Sequence, residues 1–168
     1  MTRVLGLDYG SARCGCAVSD PSGTIVTPIE EVARPASRKG MAALAQVVRE
    51  REVERVVVGL PLSLRGTDTE QTREARAFAE RLSAHLQRAG AEVPVQMHDE
   101  RFTTRMAQRD PDTSSHASED SRAAAHMLES WLGATRETNS AETGPAEKRP
   151  TNDRGPVETV DGERHQDS

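Results

Sequence analysis

Four acidic side chains in this 168-residue chain stand where chemistry could be done. Asp8 closes the apolar run Val4-Leu5-Gly6-Leu7. Asp99 and Glu100 close "EVPVQMHDE", and Asp120 opens the helical stretch "SEDSRAAAHMLESWL". A carboxylate at the tip of so apolar a strand needs a partner or a metal, because desolvating it alone is costly. A plainer reading is a turn cap, with Asp8 and Gly10 closing a hairpin. Asp120 also has a plainer reading, since any acid in a first helical turn favours the dipole. Glu119 already fills that role and faces another direction. Asp120 instead shares the side of the stripe Ala123, Ala124, Met127, Leu128 and Trp131, which is expected to pack on a sheet.

Three carboxylates drawn together repel one another. Each like pair at ~4 Å costs on the order of 4 kcal/mol at an effective dielectric near 20. Hard divalent ions with oxygen ligands relieve that repulsion, which points to Mg²⁺ or Mn²⁺ held by Asp8, Glu100 and Asp120. Two such ions at ~3.5–4 Å spacing would activate a water and stabilise the leaving oxygen of a phosphodiester. Between Asp99 and Glu100 the choice stays open, because strand parity is unreliable at an end. His98, His116 and His126 share no metal-ligand spacing, and His126 falls on the flank of the last helix. Cys14 and Cys16 alternate along one strand with no second cysteine pair, so they read as buried thiols of a cytosolic core rather than zinc ligands.

The elements that must position these acids can be read in order. Residues 3–8 form a buried strand, 13–19 a second, and 24–33 a third after the turn Asp20–Gly23. From Ser37 to about Glu52, the three- and four-residue steps of Met41, Leu44, Ala45 and Val48 predict a helix. "RVVVGLP", Arg55 to Pro61, reads as an interior parallel strand. A helix of about twenty residues follows, with Thr67 and Glu70 in capping-box spacing and Gly90 just past its end. Glu92 to Glu100 is a further interior strand, and the last helix runs from about Ser118 to Leu132. The order βββαβαβα predicts an α/β fold with a five-stranded mixed sheet flanked by helices. Right-handed crossovers place the fourth and fifth strands beside the first. Sites in such sheets form at the carboxyl ends of the central parallel strands.

Composition sets limits on partners. Residues 1–133 read as one domain, and 134–168 as a disordered acidic tail poor in large aliphatics. The formal charge of −5 argues against a blanket nucleic-acid binder but permits a local basic face. Of the 22 cations all but Lys39 and Lys148 are Arg, a residue suited to bidentate phosphate contacts. The scarce aromatics, Tyr9, Phe78, Phe102 and Trp131, make a base-stacking platform improbable. Neither a signal peptide nor a membrane-length apolar stretch is seen, so the expected location is the cytoplasm.

Taken together, "GLDYGSARCGCAVSD", "VVVGLPLSLRG", "DERFTT" and "DSRAAAHMLESWL" resemble the YqgF family, also called RuvX, of Holliday junction resolvases. The resemblance runs from about residue 3 to residue 132 with the four blocks in family order. It implies an RNase H-like fold and a metal-dependent nuclease acting in maturation of the 5′ end of pre-16S ribosomal RNA. Carried over by motif, the catalytic acids fall on Asp8, Glu100 and Asp120, with Arg13 and Arg101 as contacts to the scissile phosphate. Arg13 has an alternative, pairing with a neighbouring acid, and Thr103 and Thr104 suit a helix cap. The chain departs from the family at "RMAQRDPDTSSHASE", which is short and carries Asp110, Asp112 and Glu119 where a basic segment is usual. Such a change weakens phosphate binding more than chemistry.

Other functions fit parts of the sequence. A Holliday junction resolvase would keep the same site and needs two of them related by a dyad, so a homodimer favours DNA and a monomer favours RNA. A non-catalytic ribosome-assembly factor bound to ribosomal particles would keep the fold with a weak site. An actin-like ATPase shares the D-x-G-S pattern but needs two such domains.

Overall fold

The computed structural model describes residues 2–60, 69–99 and 117–142. The strands are β1 (Val4–Tyr9), β2 (Arg13–Ser19), β3 (Val26–Ala33), β4 (Arg55–Leu60) and β5 (Val95–Asp99), and the helices α1 (Arg38–Glu50), α2 (Glu70–Arg88) and α3 (Glu119–Glu142). They form one five-stranded sheet in the order β3-β2-β1-β4-β5. β1 pairs antiparallel with β2 and parallel with β4, and β5 is parallel to β4. The fourth strand lies beside the first as expected, whereas the fifth, also expected beside the first, pairs with the outer edge of the fourth.

Strand alternation divides the sheet between two cores. Leu5, Leu7, Cys14, Cys16, Val56 and Val58 face one side, where Met41, Leu44 and Val48 of α1 and Phe78, Leu82 and Leu86 of α2 cover them. Val4, Ala17 and Val57 face the other, against Ala124, Ala125, Met127 and Leu128 of α3. Both cysteines are buried free thiols. The runs of β1 and β4 read as uninterrupted apolar stretches because each is covered on both faces.

The helix ends follow local chemistry. The Ser37 side chain caps α1 by accepting from the Gly40 N–H at 3.0 Å. α2 is capped by Thr69, which accepts from the Thr72 N–H. This corrects the expected Thr67–Glu70 box: Glu70 is the first helical residue rather than the third, and Thr67 lies outside the described residues. Gly90, at φ +80°, ends that helix in the left-handed region that glycine adopts freely. The β2–β3 turn is held by the Asp20 carboxylate, which accepts from the N–H groups of Thr24 and Ile25 and from the Ser22 hydroxyl. The Ser22 bond, followed by the backbone bonds, lowers Asp20 to a pKa of about 2.

Two expectations for the last helix need correction. Its buried stripe is Ser121, Ala124, Ala125, Met127 and Leu128, whereas Ala123 is exposed. The helix also continues to Glu142, beyond the expected end at Leu132 and into the segment read as a tail. The extension docks on the β2–β3 turn. The Arg136 guanidinium donates to the Gly23 carbonyl, and Leu132 lies against the same glycine. The rest of the expected tail, 143–168, lies outside the described residues. No described helix is long and apolar enough to cross a membrane.

Candidate active site

Asp8 sits half-buried near the carboxyl end of β1, with Gly15 of β2 and Gly59 of β4 as its partners on either side. Residues in register share a sheet face. Asp8 therefore points toward α3, into a row whose two neighbouring positions carry no side chain. α3 uses that space. A Cβ on Gly15 would lie 1.9 Å from the Asp120 carbonyl oxygen, and one on Gly59 would lie 3.1 Å from Met127 Cγ. The same holds one pair further in, where a Cβ on Gly6 would lie 2.8 Å from Leu128 Cβ. The missing side chains let α3 press onto the sheet and bring the Asp120 backbone against the cross-strand partner of Asp8.

Both acids act on one neighbour. The Cys14 thiol is pushed well up, first by its hydrogen bonding with Cys16 and by burial, then by the negative charges of Cys16, Asp8 and Asp120. Asp8 and Asp120 thus lie within electrostatic reach of the same sulfur. A third acid, Glu31, stands opposite Gly15 on the far side of β2. The β2–β3 register shifts between Cys14 and Cys16, so that Glu30 and Glu31 together oppose Gly15 in a bulge. Glu31 pairs with Arg13, Nη1 to Oε1 at 3.7 Å, and its Oε2 is buried with no hydrogen-bond partner among the described residues. Arg13 thus pairs with a neighbouring acid, although its side chain remains 65% exposed.

On β5 the register separates the two adjacent candidates. His98 pairs with Gly59, and Asp99 with Leu60. His98 therefore falls on the Asp8 face, where its Nε2 lies 3.4 Å from Ser130 Oγ of α3, and Asp99 falls on the opposite face. Burial lowers the His98 pKa, while Asp99 opposes the shift. His98 carries no ligand spacing in sequence, and only the strand register reveals that it shares a row with Asp8. His126 stays on the exposed flank of α3, paired with Glu129. Glu100, Arg101, Thr103 and Thr104 lie outside the described residues, as does most of the segment "RMAQRDPDTSSHASE".

Among the described residues, no three His, Cys, Asp or Glu gather closely enough to hold a metal ion. The carboxylates of Asp8 and Asp120 are hard oxygen donors, a donor type that suits Mg²⁺ or Mn²⁺.

Comparison with known proteins gives this geometry its family. The model of the family RuvX, described as Holliday junction resolvase, matches residues 2–134. This chain belongs to the RuvX family. A relative from Mycobacterium leprae (strain Br4923), named "Putative pre-16S rRNA nuclease", is 39% identical over 166 residues, covering 95% of this chain and 86% of its own. A relative of the same name from Koribacter versatilis (strain Ellin345) is 44% identical over 107 residues, covering 64% of this chain and 67% of its own. Among solved structures, the chain is similar to Thermus thermophilus RuvC in complex with a Holliday junction substrate. The TM-score is 0.54 at 17% identity, covering 82% of this chain and 98% of that one. The RuvX chain therefore has the RNase H-like fold that the resemblance implied.

Proposed function

We propose that this RuvX protein is a metal-dependent endonuclease that hydrolyses phosphodiesters of structured nucleic acid, with the 5′ precursor region of 16S rRNA as its substrate. One observation carries the reading: glycines on either side of Asp8 let α3 bring Asp120 to the same end of the central strand. The names of the relatives supply the substrate class. Glu100 completes the set. It lies outside the described residues and enters as the acid of the "DERFTT" motif, while Asp99 is turned to the face opposite Asp8.

Asp8, Glu100 and Asp120 would hold the ion, and a bound Mg²⁺ or Mn²⁺ would neutralise charge on the scissile phosphate and lower the pKa of an attacking water. The chain's own residues do the rest. The three carboxylates fix the site where the phosphodiester is cut, and the two flanking glycines let α3 seat close to the sheet beside Asp8. Arg13 is mostly exposed and held by one long ion pair, so it can exchange Glu31 for a substrate phosphate, with Arg101 as a second cation. His98 stays neutral near pH 7 and adds no charge to the row.

The test is to offer an RNA spanning the 5′ precursor region and a four-way DNA junction side by side, with Mg²⁺ or Mn²⁺. The expected outcome is metal-dependent cutting of the RNA by a protein that sediments as a monomer. Cutting of the junction alone by a stable dimer would move the protein to recombination. Binding to ribosomal particles with neither substrate cut would support an assembly factor.

A further inference from the structure

Ser121 is fully buried in the first turn of α3, one residue after Asp120. A serine there usually turns to its own helix or to water. This one reaches another element: its Oγ accepts from the backbone N–H of Cys16, 105 residues away in sequence, at 3.3 Å. Cys16 stands where the β2–β3 register shifts, and a bulge leaves a ladder group in need of a partner. On the helix side, Ser118 Oγ accepts from the Ser121 N–H at 3.2 Å and donates to Ser121 Oγ at 3.2 Å. The Ser118 carbonyl accepts from the Arg122 N–H at 3.0 Å. Gly15, the residue before Cys16, lets the Asp120 carbonyl approach to where its Cβ would be.

We propose that Ser121 is a positioning residue for the metal site: its hydroxyl locks the first turn of α3 to the bulge of β2 and thereby fixes Asp120 against Asp8. The inference rests on the metal-dependent reading above. First turns fray because their N–H groups lack partners within the helix. Ser118 settles the local cap, but a cap alone leaves the turn free to slide along the strand. The Ser121–Cys16 bond removes that freedom, and close contact at Gly15 allows one seating only. Two carboxylates that must share one cation need this constraint, because the oxygen–metal distance tolerates little error.

The experiment uses the full chain with Ser121→Ala, Ser121→Cys, Ser121→Thr and Asp8→Asn. Mn²⁺ binding is measured by water-proton relaxation without nucleic acid, with amide exchange at Cys16 and the melting temperature recorded alongside. Cysteine fills the same space with a weak acceptor, and threonine keeps the hydroxyl. We expect Ala and Cys each to raise the Mn²⁺ half-saturation about tenfold and speed Cys16 exchange, with Thr close to the native chain. A packing role alone would leave the Cys variant native-like, and that result overturns the proposal. Unchanged Mn²⁺ binding in both Ala and Cys, with binding lost in Asp8→Asn, overturns the positioning role and keeps the metal site. Equal Mn²⁺ binding by the native chain and Asp8→Asn overturns both. Should the Ala variant fail to fold, the Cys variant decides alone.

Discussion

Asp8 and Arg13 are five residues apart in sequence, and each is managed by a neighbour that the sequence does not point to. Asp8 owes its surroundings to two glycines on other strands. Arg13 owes its partner to a bulge that sets Glu30 and Glu31 together opposite Gly15. A one-residue slip in a strand changes which side chains meet, and no periodicity in "TPIEEVAR" signals it. The Arg13–Glu31 pair has a consequence for binding. Glu31→Gln removes the competing charge from Arg13 and leaves a neutral amide of the same size in its place. RNA affinity, followed by fluorescence anisotropy, should rise about threefold at low salt, with the gain fading by roughly 0.5 M as screening takes over. Thermal stability should not fall. An affinity that ignores this substitution would mean that Arg13 does not reach the substrate.

The helices were the most legible elements, and α3 was the least complete of them. Met41, Leu44, Ala45 and Val48 announce α1 because a surface helix must bury one stripe, and all four are buried. The apolar run Val56–Val58 announces an interior strand for the same reason. The glycines under α3 give no such signal, since what they contribute is the absence of a side chain. Gly15→Ala would place a Cβ 1.9 Å from the Asp120 carbonyl, against backbone that cannot swing away. It should cost about 3 kcal/mol in urea unfolding. Gly133→Ala, where a Cβ meets nothing within 4 Å, should instead be neutral or gain up to about 1 kcal/mol. The C-terminal part of α3 reads as a polar tail because its anchor, Gly23, is 113 residues distant from Arg136 in sequence. Truncation after Glu142 should leave the melting temperature unchanged, whereas truncation after Gly133 removes the Arg136 bond and should lower it by about 3 °C. Equal melting temperatures for the two truncations would show that the extension does not brace the β2–β3 turn.

For the whole molecule, the order β3-β2-β1-β4-β5 puts the ends of β1 and β5 on one side of the sheet and lays α3 across β1 and β2. This arrangement makes a meeting of residues from positions 8 and 120 a property of the fold rather than of any one segment. Most of the strand order was legible because three short strands followed by α/β units leave few topologies. The face to which Asp99 turns was not, because it depends on the β4–β5 register, which pairs Asp99 with Leu60 and turns it away from Asp8. The central claim is that Asp8, Glu100 and Asp120 form one metal-dependent nuclease site. The measurement that tests it most directly is single-turnover cleavage of the 5′ precursor RNA with Mn²⁺ by Asp8→Asn, Glu100→Gln, Asp120→Asn and Asp99→Asn. The account predicts that the first three each lose about a thousandfold or more in rate, while Asp99→Asn stays within a few-fold of the native chain. Full activity in Glu100→Gln together with loss in Asp99→Asn would contradict it.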